Sequence, residues 1–374
     1  MRTPVYHMRL LSSRPKRISS FVPGNRFSCL IEPVRLDPKQ EMDRKQKIDR
    51  RRFIEFAALG AVGALANKII ASSDKPDEAL PKLSLSQWAL HRAHFGNSKD
   101  NYQRWQRLLR ESPDEVLEGW LKPLDFPKVA RERFGFEAVE YVNTFIFGKA
   151  RDDSFLKQLR TRCDDYGVKS VLLMVDEAGY LGHSDTNQRH QSIQNHLPWI
   201  EASAKIGCDA VRVNAHGIGS YQEQKEAAAE SLRALAEHAE PFEVKVLVEN
   251  HGGLSSFPPW LLETLKSADH SLLGTMVDFD NFAWSEERIW HSDTRYDRYK
   301  GVEELMPLAQ AVSAKSHDFD TDGSETTIDY HRMADIIKTS GYNGYIGVEH
   351  EGNHFSEEEG IEKTRDLLIK AWQA

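Results

Sequence analysis

The stretch VKVLVENHGG, from Val244 to Gly253, is the part of the sequence from which the fold is most readily inferred. It begins with a run rich in valine and leucine, which is typical of a strand buried on both faces. The run ends on a carboxylate, Glu249, and Asn250 and His251 follow it. A buried strand that ends in a carboxylate is expected in a fold that gathers its strand ends at one functional surface.

Seven other short apolar runs follow the same plan after residue 71. The polar or aromatic residues at the eight ends lie roughly 30 to 55 residues apart, at Trp88, Asn143, Asp176, Asn214, Glu249, Asp278, His317 and Glu349. Such intervals suit a strand, a helix and two loops. Residues 223–240, between two runs, are rich in Ala and Glu, as in a helix. Asp329 is expected to cap another helix, and Ser356 with Glu359 forms the capping-box pattern of the last one.

Eight buried strands that alternate with helices predict an α/β fold, the (β/α)8 TIM barrel, because eight parallel strands are the number that closes it. The alternative is an open, doubly wound sheet. We consider it weaker because no G-x-G-x-x-G motif follows an early strand, and GIGSYQ at residues 217–222 lacks the third glycine. In a barrel, functional residues lie at the carboxyl ends of the strands, which is where Glu249 is expected.

The ends of the later strands carry groups that can hold a cation. Glu249, Asp278 and Glu349 end strands five, six and eight, and strand seven offers Lys315 and His317. At one barrel mouth, three carboxylates repel one another unless they are protonated or bind a cation. A divalent metal ion would satisfy them, and carboxylates with one imidazole suit Mn²⁺, Mg²⁺, Co²⁺ or Zn²⁺.

With these motifs the chain resembles the xylose isomerase-like barrel superfamily of sugar isomerases and epimerases. The resemblance covers about residues 80 to 370 and rests on four stretches, VENHGG, GTMVDFDNF, AVSAKSHDFD and YIGVEHEG. It implies a metal ion held by Glu249, Asp278, a histidine on strand seven and Glu349.

Strand seven departs from the pattern of that superfamily. Many relatives show His-x-Lys, whereas the matching register here reads Ser313-Ala314-Lys315, and the histidine is His317. Residues 315 and 317 share a face if the strand persists. On that condition His317 is the expected fourth ligand, and the sequence leaves open whether it or Lys315 occupies the site.

The predicted activity is that of a metal-dependent sugar isomerase or epimerase. A metal ion chelated by carbonyl and hydroxyl oxygens acidifies the neighbouring C–H and stabilises an enediolate. Glu249 and Glu349 are the predicted catalytic pair, of which one removes the proton and the other returns it. The sequence does not choose between isomerisation and epimerisation. Two alternatives stay open: a lyase or hydrolase that cleaves 3-keto-glycosides at the same metal site, and a non-catalytic carbohydrate-binding barrel.

Other polar residues near strand ends are expected to bind the hydroxyl groups of a small sugar or glycoside. These predicted substrate-binding residues are Lys315, Arg212, Asn214, His216, His251, Asn281, Glu140 and Asp176. No glycine-rich anion loop follows strand seven or eight, which favours a substrate without phosphate.

Charge divides the chain into a basic start and an acidic remainder. The first 52 residues hold 14 Lys/Arg and 5 Asp/Glu, a balance of +9, so the total of −8 leaves −17 for the rest. An acidic body argues against a nucleic-acid partner, because phosphate contacts need basic surfaces. The sequence also allows a homo-oligomer.

The basic start carries a pattern typical of an export signal. Arg50 and Arg51 precede Phe53 and an apolar run of about eleven residues, too short to span a bilayer. The pattern resembles a twin-arginine signal and predicts export to the periplasm, with no membrane attachment afterwards. Met42 is an alternative start. We therefore predict an extension at residues 1–71 and a barrel at residues 72–374.

Overall fold

The computed structural model describes residues 80–283 and 295–374, so the predicted export signal lies outside the described part. Within that part, eight parallel strands close into a barrel in chain order. They are β1 (Lys82–Ser86), β2 (Ala138–Val142), β3 (Lys169–Met174), β4 (Ala210–Val213), β5 (Lys245–Glu249), β6 (Leu273–Asp278), β7 (Ala309–Ser316) and β8 (Tyr345–His350). Because β8 pairs with β1, the sheet has no free edge, and the predicted (β/α)8 barrel is confirmed.

Ten α-helices occur in the described ranges, most of them between consecutive strands. They are α1 (His91–Phe95), α2 (Tyr102–Glu111), α3 (Phe126–Phe134), α4 (Asp153–Tyr166), α5 (Thr186–Ile206), α6 (Tyr221–Ala239), α7 (Pro258–Ala268), α8 (Arg298–Leu305), α9 (Tyr330–Thr339) and α10 (Glu357–Trp372). None of these helices is both long enough and apolar enough to cross a bilayer.

Local sequence signals place several of these helices correctly. The carboxylate of Asp329 accepts a hydrogen bond from the backbone N–H of Arg332 (3.1 Å) at the start of α9. Ser356 and Glu359 form both bonds of a capping box at the start of α10. These caps satisfy N–H groups that the helix itself leaves unpaired, so each helix begins where its cap lies.

Two apolar layers hold the barrel together. The larger layer lies between the strands and the helices and includes Val211, Leu232 and Val348. A smaller cluster includes side chains from alternate strand positions, among them Leu247 and Met276. Alternation along each strand then turns the polar residues at the carboxyl ends toward the barrel mouth.

Candidate active site

A cavity of about 460 Å³ opens at the carboxyl ends of the strands. Eight residues predicted from the sequence line it: Asp176, Arg212, Asn214, His216, Glu249, His251, Lys315 and Glu349. The rings of Trp88 and Tyr102 also line it. Groups from several strands, or from the loops that follow them, thus meet at one mouth.

Glu249, the last residue of β5, belongs to a chain of charged and polar groups on one side of the cavity. One of its oxygens lies 2.8 Å from Nε of Arg212, and the other accepts a hydrogen bond from Asn281 (3.2 Å). Arg212 also donates to Asp176 (2.6 Å). Although burial alone would raise the pKa of Asp176, the charge of Arg212 lowers it. Arg212 therefore contacts two carboxylates, one after β3 and one at the end of β5, the strands on either side of its own.

Glu349, on β8, is held by a second set of contacts. Ser86, the last residue of β1, donates a hydrogen bond to Oε2 of Glu349 (2.6 Å), and the ammonium of Lys315 contacts Oε1. Lys315 and Glu349 are paired residues of the neighbouring strands β7 and β8. Only 5% of the surface of Glu349 is exposed, so both oxygens are fixed in place by the protein.

Glu351 is a site residue that the sequence analysis missed. Its carboxylate lies 3.2 Å from Nζ of Lys315 and accepts a hydrogen bond from the indole of Trp88. Burial alone would raise the pKa of Glu351, but Lys315 and His317 lower it to about 2. The spacing carried a signal, because residue 351 follows Glu349 by two positions and so lies on the same face if the extended backbone continues.

Asp278 ends β6 as predicted, but it is fully buried and does not line the cavity. Its Oδ1 accepts hydrogen bonds from the backbone N–H groups of Asp280 (2.8 Å) and Asn281 (2.9 Å). Its Oδ2 lies 3.6 Å from Nζ of Lys315. Burial raises the pKa of Asp278 to about 7, and the charge of Lys315 opposes that rise. Asp278 thus supports the cavity floor from behind.

His317 does not lie with the three carboxylates, because strand seven does not continue as far as residue 317. Strand β7 ends at Ser316, and the backbone N–H of His317 bonds to Oε1 of Glu325 (3.0 Å) instead of continuing the strand. The imidazole contacts Asp280 (2.9 Å). Of the two candidates on strand seven, Lys315 is the one that lines the cavity.

Two predicted substrate-binding residues also lie outside the cavity lining. Asn281 donates to Glu249 and so orients a carboxylate. Glu140 on β2 is fully buried, where Ser84 donates to it (2.6 Å), and burial raises its pKa to about 8. A Cβ atom at Gly347 would lie 2.6 Å from its carboxylate, so the glycine provides the space that Glu140 occupies.

Imidazoles and an amide extend this polar lining beyond Asp176. His251 shares a hydrogen bond with Asn214 (3.1 Å), which also donates to Asp176 (3.1 Å). The ring of His216 packs against Gly252, where an added Cβ would lie 2.7 Å from the ring, and the φ of +72° also favours glycine. The glycine in the ENHGG motif thus lets His216 approach the end of β5.

The arrangement of these groups does not fit a divalent metal ion. In the described part of the chain, no group of three or more His, Cys, Asp or Glu side chains is placed to hold one. Arg212 contacts Glu249, while Lys315 lies among Glu349, Glu351 and Asp278. The predicted ligand set of Glu249, Asp278, His317 and Glu349 stays a prediction. Two observations count against it: His317 is directed elsewhere, and a protein cation already contacts each carboxylate.

A sequence profile of the xylose isomerase-like TIM barrel family matches residues 128–371, which is more than half of the chain. The chain belongs to this family. No curated protein matches its sequence.

Several solved structures share the fold. A 3-keto-D-glucoside 4-epimerase from E. coli is 14% identical, with a TM-score of 0.54 over 67% of this chain and 94% of that chain. A sugar phosphate isomerase/epimerase from Parabacteroides distasonis is 15% identical, with a TM-score of 0.52 over 80% and 98% of the two chains. The IOLI protein, solved with a zinc atom, is 16% identical, with a TM-score of 0.53 over 67% and 93%. At these identities the likeness concerns the fold alone.

Proposed function

We propose that the protein is a sugar isomerase or epimerase that moves a proton on a carbon atom next to a carbonyl group. The observation that carries the proposal is the pair of buried glutamates, Glu249 and Glu349, which face one cavity from β5 and β8. Each is held by hydrogen bonds and contacts a protein cation. Carboxylates fixed in this way suit positioned proton transfer.

The two glutamates divide the reaction between them. One carboxylate removes the proton, the electron pair of the C–H bond forms a C=C bond, and the carbonyl oxygen takes up negative charge. The other carboxyl group, protonated at that stage, returns a proton as the carbonyl re-forms. Two strands, β6 and β7, separate β5 from β8, so the two carboxylates approach a substrate from different directions. Return to the opposite face of the same carbon gives epimerisation. Return to the former carbonyl carbon, with the hydroxyl proton passing to the former carbonyl oxygen, gives isomerisation.

The lining of the cavity suits a keto-sugar or a keto-glycoside. Carboxylates, an amide and imidazoles offer hydrogen bonds to hydroxyl groups, and the rings of Trp88 and Tyr102 offer apolar surface to a sugar face. Support for this substrate class comes from the E. coli structural relative, which is named as an epimerase of a 3-keto-glucoside. The metal dependence predicted from the sequence is not part of this proposal, because protein cations already contact the carboxylates.

A substrate panel with two readouts tests the activity. Ketoses, aldoses and 3-keto-glucosides are incubated with the wild type, Glu249→Gln, Glu349→Gln and the control Glu263→Gln, at an exposed position of α7. NMR should show an epimer or isomer with the wild type and the control, and a rate about 10²- to 10⁴-fold lower with the two site variants. Release of an aglycone in place of an epimer would identify the cleavage reaction instead. Equal rates for all four proteins would contradict the proposal.

We further propose export by the twin-arginine route, with residues 1–71 as the extension that carries the signal. The paired arginines and the short apolar run support this proposal. Replacement of Arg50 and Arg51 by lysine should keep the protein in the cytoplasmic fraction, whereas unchanged fractionation of that variant would contradict export by this route.

A further inference from the structure

We propose that the ammonium group of Lys315 is the electrophilic catalyst of this site. It takes the place of a divalent cation by donating a hydrogen bond to the carbonyl oxygen of the substrate. This inference rests on the proposed function, because it names the group that stabilises the negative charge created when the proton is removed. From the sequence, Lys315 is predicted to bind substrate or to occupy the strand-seven position of the site.

The position of Lys315 is the first support. Its side chain comes from β7, between the strands that carry Asp278 and Glu349, and only 4% of its surface is exposed. The ammonium contacts Oε1 of Glu349, and it lies 3.2 Å from Glu351 and 3.6 Å from Asp278. A metal ion shared by Asp278 and Glu349 would have to lie close to where this nitrogen lies. The lysine therefore places one positive charge among these carboxylates, at the position where a cation would lie.

The place of Lys315 in the cavity lining is the second support. Lys315, Glu349 and Glu351 line the cavity, whereas Asp278 lies behind them. A substrate in the cavity can thus reach the nitrogen without displacing Asp278. Asp278 is a positioning residue in this scheme, because it contacts the ammonium but does not face the cavity.

The three carboxylates also decide which chemistry the lysine can perform. An amine must lose its proton before it can attack a carbonyl and form a Schiff base. Carboxylates close to an ammonium stabilise its charged form, so Lys315 acts as a hydrogen-bond donor. In the reaction, a glutamate takes the C–H proton, the bonding pair forms the C=C bond, and the carbonyl oxygen accepts a hydrogen bond from Nζ. The interaction strengthens as the oxygen becomes negative, and it relaxes when the proton is returned.

The first test measures metal and activity in the wild-type protein. The purified protein is loaded with Mn²⁺ or Zn²⁺, passed through buffer exchange and analysed by plasma mass spectrometry. Exchange of the keto-sugar proton next to the carbonyl is followed separately in D₂O, with and without a chelator. We expect far less than one ion per chain and exchange that survives the chelator. About one retained ion per chain, or exchange that needs added metal, would overturn the inference.

Variants test the chemical role. Lys315→Met should lower kcat by about 10²- to 10³-fold with a smaller change in KM, as for the loss of a donor that acts mainly in the transition state. Lys315→Arg keeps a charge and should retain more activity than Lys315→Met. Lys205→Met is the control, since that lysine pairs with Asp153 at the surface. Equal kcat for the wild type and a folded Lys315→Met variant would overturn the role.

Borohydride treatment of the wild type with a keto-sugar separates the two roles of a lysine. No gain in protein mass is expected, and a covalent sugar adduct at Lys315 would overturn the inference in favour of a Schiff base. Failure of the proposed function can be told apart from failure of the Lys315 inference, because the wild type would then exchange no substrate proton with or without metal. The retained metal would still show whether a divalent cation or Lys315 occupies this position.

Discussion

At the scale of single residues, the site holds buried carboxylates by pairing them with protein cations and hydroxyl groups. Arg212 spans Asp176 and Glu249, while Lys315 and Ser86 both contact Glu349. A buried carboxylate without such partners costs several kcal/mol or becomes protonated. These contacts therefore orient the carboxylates and give each of them a partner inside the protein.

The sequence predicted this residue set in part. Carboxylates at three strand ends follow from the apolar runs that precede them, so Glu249, Asp278 and Glu349 could be assigned to the barrel mouth. Which cation faces them could not be assigned, because that depends on where β7 leaves the barrel. Glu351 was missed because it lies beyond the apolar run, in a segment whose direction only tertiary contacts determine.

Ser86 gives a residue-level prediction with a matched control. Ser86→Ala removes the hydrogen bond that orients Glu349, and hydrogen bonds to charged groups contribute about 1.5 to 3 kcal/mol. We expect kcat for proton exchange to fall by about tenfold or more with little change in KM. Ser84→Ala is the control, since Ser84 lies on the same face two residues earlier and bonds to Glu140. Steady-state kinetics that show no difference between the two variants would count against an orienting role.

At the scale of elements, the end of β7 determines the composition of the site. The buried carboxylate of Glu325 accepts hydrogen bonds from the backbone N–H groups of His317 (3.0 Å) and Thr327 (2.6 Å). The hydroxyl of Tyr330 donates to the backbone carbonyl of Lys315 (2.8 Å). The loop after β7 is thus organised around Glu325, which directs His317 away from the cavity. These partners are distant enough in sequence that a strand pattern alone does not reveal them.

Glu325 provides the prediction at this scale. Glu325→Ala leaves the backbone N–H groups of His317 and Thr327, which are partly buried, and that of Ile328, which is buried, without this acceptor. An unpaired buried group costs about 1 to 3 kcal/mol. We expect the free energy of unfolding to fall by about 2 to 4 kcal/mol, measured by urea denaturation. Glu303→Ala, at an exposed position of α8, is the control and should change it by less than about 0.5 kcal/mol. Equal stability of both variants would show that Glu325 does not organise the loop.

At the scale of the whole molecule, buried histidines link stability to pH. His94 and His196 are almost fully buried, and burial lowers the pKa of His94 to about 3 and that of His196 to about 4. In the unfolded chain both protonate near the ordinary pKa of 6.5. Since the unfolded state then binds more protons, their contribution to stability is complete above pH 6.5 and is lost as pH falls toward 4.

The size of this effect can be measured on one histidine. Between pH 6 and pH 4.5 each buried histidine should remove about 1.4 kcal/mol of stability per pH unit. His94→Asn, which keeps a donor for the carbonyl of Leu121, should flatten the dependence of unfolding free energy on pH by that amount. His190→Asn, at an exposed position, should leave the slope unchanged. Parallel curves for the wild type and His94→Asn would contradict the assignment.

The barrel as a whole was the most predictable feature, because eight apolar runs at regular intervals allow few other folds.

The central claim that remains to be tested is proton transfer by the two glutamates. The most direct measurement is deuterium incorporation from D₂O into a keto-sugar or 3-keto-glucoside, followed by NMR, for the wild type and Glu249→Gln. Our account predicts deuterium at the carbon next to the carbonyl with the wild type and a rate at least 10²-fold lower with the variant. Incorporation at equal rates by both proteins, or none by the wild type with any substrate, would contradict it.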